Sequence, residues 1–285
     1  MTMSSILQRC KVLTLSFSGA GHLLPYHLGA AIALKEKEQI SKSIVAVSGS
    51  SSGAIAATIF VNFASVENIK DYAERFITDG GRAMFHLQQM MLDESVTIQS
   101  TKQSLHIGTT RCSDGSLQLF NFPAGSSSSD QISRDHLVRC IQASCKIPSH
   151  FHPSDVLPSR WPSTYPEDDG IRIDGKSFCD GGIAAPAPPT PIDNNEKGTS
   201  CCRIVVSPIA GSNNDENTIR ISPRDESFKF PIDVKCRGGF VVHPSLQNIR
   251  AMQVSAGVSA TPAILREWYK RGSEDVGILL ADANY

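Results

Sequence analysis

The chain has no run of 18 apolar residues, so nothing in it reads as a membrane span. Residues 1–10 lack the apolar stretch of a secretory signal. There is no lysine or arginine run, and the formal net charge over 285 residues is −1. No global field therefore draws the molecule to nucleic acid or anionic lipid, and no nucleic-acid partner is expected. The eight cysteines form no C-x-x-C pair and none of the zinc spacings. Their reading is reduced thiols in a cytoplasmic setting, with any membrane contact peripheral. No repeat is visible and no linker is long enough to divide the chain. One domain is expected over residues 11–285, after an N-terminal extension of residues 1–10.

What is present is an α/β pattern. "KVLTLSF" (11–17) and "SIVAVSG" (43–49) are short apolar, β-favouring runs. Each is followed by a glycine-broken turn and then a helical segment. Strand, turn, helix, repeated, predicts a central, mostly parallel sheet with helices on both faces. Residues 65–95 read as helix, and 83–92 ("AMFHLQQMML") as a packed helix or a lid. "GSSSSD" (125–130) reads as an exposed loop. The C-terminal third reads as mostly helical from Leu246.

The second turn carries the chemistry. Of the crowded serines Ser48, Ser50, Ser51 and Ser52, only Ser51 has glycines at −2 and +2, Gly49 and Gly53. That is the G-x-S-x-G nucleophile elbow, entered from a strand and left by a helix as the elbow requires. A phosphate loop would need Gly-Lys-Ser/Thr, and this stretch has no lysine. A dinucleotide loop would need a third glycine after Gly19 and Gly21, and Leu24 stands there. The first turn, Ser18-Gly19-Ala20-Gly21, falls like the elbow at the carboxyl end of a strand, where open α/β sheets bind ligands. Its backbone amides suit an oxyanion. A third feature, Asp180-Gly181-Gly182, reads either as a β-turn or as an aspartate free to approach another backbone. Ser51, Asp180 and His243 also stand in the chain order of an α/β-hydrolase triad, although only about one strand plus a helix precedes SIVAV. His150-x-His152 is a weak metal pair, read instead as packing beside Phe151 and Pro153. His27 reads as a helix residue and Cys179 as core.

Together and in this order, the three features resemble the patatin-like phospholipase family. The branch with adipose triglyceride lipase and adiponutrin is nearest, through "LSFSGAGHLLPYHLGAA". Further likeness lies in "ASCKIPSHFHP", "VVSPIAG" and "EWYKRGSEDVGILL". The resemblance implies a lipid acyl hydrolase acting on phospholipids or acylglycerols without metal or cofactor. It implies Ser51 as nucleophile and Asp180 as its base, with Gly181 and Gly182 completing the aspartate's motif. It assigns the oxyanion hole to backbone of Gly19, Ala20, Gly21 and Ser52, and leaves His22 to line a pocket. The chain departs from the family in two places. His22 follows Gly21 where many relatives have arginine in the motif, and Ser50 and Ser52 stand where relatives often have alanine. An inactive, lipid- or protein-binding relative is the alternative from another class.

Overall fold

The computed structural model describes residue 10 and residues 12–63, 65–79, 81–92, 103–125, 131–160, 164–192, 201–212, 216–224, 227, 230 and 232–282. Apart from Cys10, the N-terminal extension lies outside them, as does nearly all of the 125–130 loop.

In chain order the strands are β1 (Val12–Phe17), β2 (Ile44–Ser50), β3 (Ser104–Arg111), β4 (Leu117–Phe122), β5 (Ile171–Ile173), β6 (Lys176–Cys179), β7 (Cys201–Val206), β8 (Thr218–Ile221), β9 (Val234–Lys235) and β10 (Val241–Val242). The helices are α1 (Leu24–Glu36), α2 (Glu38–Ser43), α3 (Ser52–Asn62), α4 (Val66–Thr78), α5 (Ala83–Leu92), α6 (Gln131–Ser144), the single turn α7 (Gly181–Ala184), α8 (Leu246–Ser255) and α9 (Pro262–Asp282). β1 to β8 form one sheet in the order β5-β6-β3-β2-β1-β7-β8, with β4 on β3, and β9 and β10 form a separate ribbon. The expected α/β class, a mostly parallel sheet flanked by helices, is what the chain builds. β1, β2, β3, β7 and β8 are mutually parallel, β4 and β6 run antiparallel to β3, and β5 runs antiparallel to β6.

The middle strands are apolar because helices cover both their faces: every residue of β1 is buried, as is every residue of α3. The small residues Gly53, Ala54, Ala56 and Ala57 let α3 lie close on the sheet. α5 is a packed helix, with Leu87, Met90 and Met91 buried and Phe85 exposed. Among the described residues no helix is long and apolar enough to cross a membrane.

The reading of eight free thiols needs correction: Cys10 is joined to Cys202 in a disulfide, their Cα atoms 5.7 Å apart. β7, which carries Cys202, pairs with β1, so Cys10, two residues before β1, falls near it. Cys112, Cys140, Cys145, Cys179 and Cys236 are free thiols.

One detail of the sheet positions the site. β4 occupies one edge of β3, from Leu105 opposite Phe122 to Thr110 opposite Leu117. β2 lies on the other edge and stops with Ser50 opposite Gly108. β6 enters that same lane from the opposite direction, with Phe178 opposite Arg111 and Cys179 opposite Thr110. Two strand ends therefore meet head-on along β3. The residue after β2 is Ser51, and the residue after β6 is Asp180. An Asp174-Gly175 hairpin turn, both residues at positive φ, turns β5 back into β6 and aims it.

Candidate active site

Ser51 sits between β2 and α3 with φ 53° and ψ −131°. Such a backbone costs a non-glycine residue about 1–3 kcal/mol and persists only where its surroundings impose it. Here the Ser51 N–H donates to Ser144 Oγ at 2.8 Å, and the Ser51 hydroxyl donates to Asp180 Oδ2 at 2.7 Å. The flanking glycines are there for space. A Cβ on Gly53 would come within 2.5 Å of Ser18 O, and one on Gly49 would run into the Gly53 carbonyl.

Asp180 is 7% exposed. Its second oxygen, Oδ1, accepts the Gly182 N–H at 2.8 Å, which caps α7. Its own amide donates to Lys146 O, and its carbonyl accepts from Thr110 Oγ1 at 2.7 Å. Backbone and carboxylate are thus both fixed. Burial pushes its pKa up to about 6, against the two hydrogen bonds from Ser51 and Gly182 that pull it down. The neighbouring thiols do not compete for the proton near neutral pH. Cys145 is pushed up chiefly by burial, and Cys179 chiefly by its contact with Cys112.

The glycine turn lies against the elbow: a Cβ on Gly19 would stand 3.4 Å from Ser51 Cβ. Its amides are not equivalent, and here the expected oxyanion set narrows. Gly19 N–H donates to Pro186 O at 2.8 Å, and Ala20 N–H donates to Ser52 Oγ at 3.0 Å. Both are committed within the fold. Gly21 and Ser52 each open a helical turn, where an N–H has no acceptor within the helix. They are the remaining donors of the four, and Ser52 adds the positive end of the α3 dipole. Gly21 has φ +51°, and a Cβ there would run into the Ser255 carbonyl at the end of α8. The His22 ring lies beside that carbonyl, Nδ1 to Ser255 O at 3.3 Å.

A model of the patatin-like phospholipase family matches residues 15–193, well over half of the chain. The chain belongs to the patatin-like phospholipase family. Two solved structures are similar to it at low identity. VipD from Legionella pneumophila is 13% identical over 96% of this chain and 67% of its own, with a TM-score of 0.43. The heterodimeric ExoU-SpcU complex from the type III secretion system of Pseudomonas aeruginosa gives 14%, 96%, 52% and 0.42. The chain thus spans about two thirds of the first and about half of the second. No curated protein matches it.

This patatin-like chain puts its extra serines to use, which sequence reasoning missed. Ser50 Oγ donates to Pro186 O at 2.9 Å, and Ser16 and Ser48 both donate to Pro188 O, at 2.8 and 3.0 Å. These hydroxyls hold down the proline-rich strap that follows Asp180. Proline carries no N–H, so the strap has few donors of its own and is fixed through its carbonyls. Pro186 O takes both the Gly19 amide and the Ser50 hydroxyl, so glycine turn, elbow and strap meet at one atom. The period-two spacing of Ser48 and Ser50 on a strand was the available signal.

The Ser51–Asp180–His243 triad does not form. Asp180 reaches Ser51 directly, and His243 Nδ1 bonds Asp233 Oδ1 at 2.7 Å near the β9–β10 ribbon. His27 is a buried core residue: Nε2 donates to Ser18 O at 2.8 Å, and burial lowers its pKa to about 4. His150 pairs with Ser149, and His152 caps a short turn at Pro153–Val156. Among the described residues no group of three or more His, Cys, Asp and Glu side chains is placed to hold a metal ion.

Proposed function

We propose that the chain is a lipid acyl hydrolase that cleaves carboxylic esters of phospholipids or acylglycerols with a Ser51–Asp180 dyad. The observation that carries this is the 2.7 Å bond from Ser51 Oγ to Asp180 Oδ2. It is the nucleophile-to-base distance that proton transfer needs. Ser51 Oγ attacks the ester carbonyl carbon as its proton passes to Asp180. The carbonyl electrons move onto oxygen, where the Gly21 and Ser52 amides receive them; one such donor is worth about 2.7–4 kcal/mol in the transition state. The tetrahedral centre collapses, and the leaving alcohol takes the proton from Asp180. Water then attacks the acyl-enzyme and gives Asp180 a proton, which returns to Ser51 as the fatty acid departs. Within the family we place the chain in the adipose triglyceride lipase and adiponutrin branch, meeting its substrate at a membrane or lipid-droplet surface.

Fluorophosphonate labelling tests the reading. Covalent labelling of the folded protein that vanishes in Ser51→Ala supports it. A folded parent that takes no label points to the lipid- or protein-binding relative.

The pH profile follows from Asp180. It must be ionised to accept the serine proton, and its pKa sits at about 6. We expect kcat/KM to rise through about pH 6 and level off above it, falling about tenfold per unit below. An acid limb near pH 4 in a pH-rate series would show an unperturbed carboxylate instead.

A further inference from the structure

We infer that Ser144 is a positioning residue for the dyad, whose hydroxyl holds Ser51 at bonding distance from Asp180. The inference rests on the dyad reading above.

Ser144 is the last residue of α6 and is wholly buried. A serine hydroxyl has one proton and two lone pairs. Here the proton goes to Gly108 O at 2.6 Å, which leaves the oxygen as acceptor for the Ser51 N–H at 2.8 Å. The Ser51 amide is thus tied to the carbonyl of Gly108. That carbonyl is also where the other half of the site rests. Gly181, next to Asp180, packs so closely on Gly108 O that a Cβ would strike it, and the same Cβ would stand 3.1 Å from Ser50. One hydroxyl therefore spans the nucleophile's backbone and the peptide that supports the base. It acts where the chain is strained, at φ 53°. With alanine at 144, the Ser51 N–H loses this acceptor. The backbone is then free to relax toward an ordinary φ, carrying Oγ away from Oδ2. A displacement of about 1 Å at a reacting group lowers turnover by about 100-fold.

The test compares the parent, Ser144→Ala and Ser144→Cys in hydrolysis of a short-chain p-nitrophenyl ester, with Ser51→Ala as control. For Ser144→Ala we expect kcat to fall about 30- to 100-fold per folded molecule while KM stays within about twofold. We also expect the acid limb of kcat/KM to move to higher pH. The Ser51 hydrogen bond is one of the two that hold the Asp180 carboxylate down, and it loosens. A purely structural serine would lower the melting temperature without moving that limb. Parental kcat per folded molecule with an unmoved limb overturns the inference. If Ser144→Ala does not fold, Ser144→Cys is decisive: a cysteine keeps the shape of serine with a slightly larger sulfur that accepts poorly, so lowered kcat with a raised limb supports, and parental values for both overturn. Failure of the dyad reading appears elsewhere, as parental turnover in Ser51→Ala, and takes the inference down with it.

Discussion

Asp180→Asn cuts ester turnover by about 1,000-fold or more and leaves the protein folded. The carboxamide has the shape of the carboxylate, and its oxygen can keep the Gly182 N–H, so the cap on α7 survives. The amide nitrogen then faces Ser51 Oγ in place of Oδ2 and offers a proton where the reaction needs an acceptor. Ser51→Ala loses at least as much, because the attacking oxygen is gone. His243→Ala, run alongside, keeps parental turnover, since its imidazole bonds Asp233 and not the dyad. Parental kcat in Asp180→Asn would remove Asp180 from the chemistry.

The same variant is expected to be more stable than the parent at neutral pH. The folded pKa of Asp180 is about 6 and the ordinary value 3.8, so folding favours the protonated carboxyl. The sign follows from linkage: its favourable contribution is complete below 3.8 and is lost as pH rises through about 6. Above that, the parent carries an ionised carboxylate that the fold disfavours by on the order of 2–3 kcal/mol. Asparagine carries no such charge, so its melting temperature rises by several degrees at pH 7.5 and is close to the parent's at pH 4.

Gly181→Ala is expected to lower turnover about 100-fold while every catalytic side chain stays present. The new methyl would occupy the space of Gly108 O and press on Ser50 Cβ. α7 and the end of β6 must lift off β3, taking Asp180 with them. Overpacking of this kind destabilises by about 1–3 kcal/mol, and melting falls by about 2–4 °C per kcal/mol in a chain near this size. Kinetics and melting read the two effects separately. Parental kcat would mean that the dyad tolerates a shift of the strand ends.

The elbow and the Asp-Gly-Gly turn were legible because both are local. Glycines at fixed offsets, a strand before and a helix after need only neighbouring residues. Which amides remain open to an oxyanion was not legible. Gly19 and Ala20 sit in the same motif as Gly21, yet their N–H groups are taken by Pro186 O and Ser52 Oγ, the first far away in sequence. Ser144 was visible only as part of an Ala-Ser pair in a familiar segment, because its partners are the Ser51 amide and the Gly108 carbonyl. The partners of the Ser50 and Ser52 hydroxyls, Pro186 O and the Ala20 amide, were hidden for the same reason. The cysteines misled in another way: Cys10 and Cys202 are 192 positions apart, so their pairing had no local mark.

The head-on meeting of β2 and β6 bears on when the molecule becomes reactive. Ser51 and Asp180 are 129 positions apart, and nothing local brings them together. A nascent chain that has made the elbow, or even β1 to β3, holds Ser51 without its Asp180 partner. Long-range pairings of this kind close late, since the entropy of the intervening loop must be overcome first. On the proposed dyad, hydrolysis would begin only when β6 has taken its place on β3. Fluorophosphonate labelling would then count completed sheets.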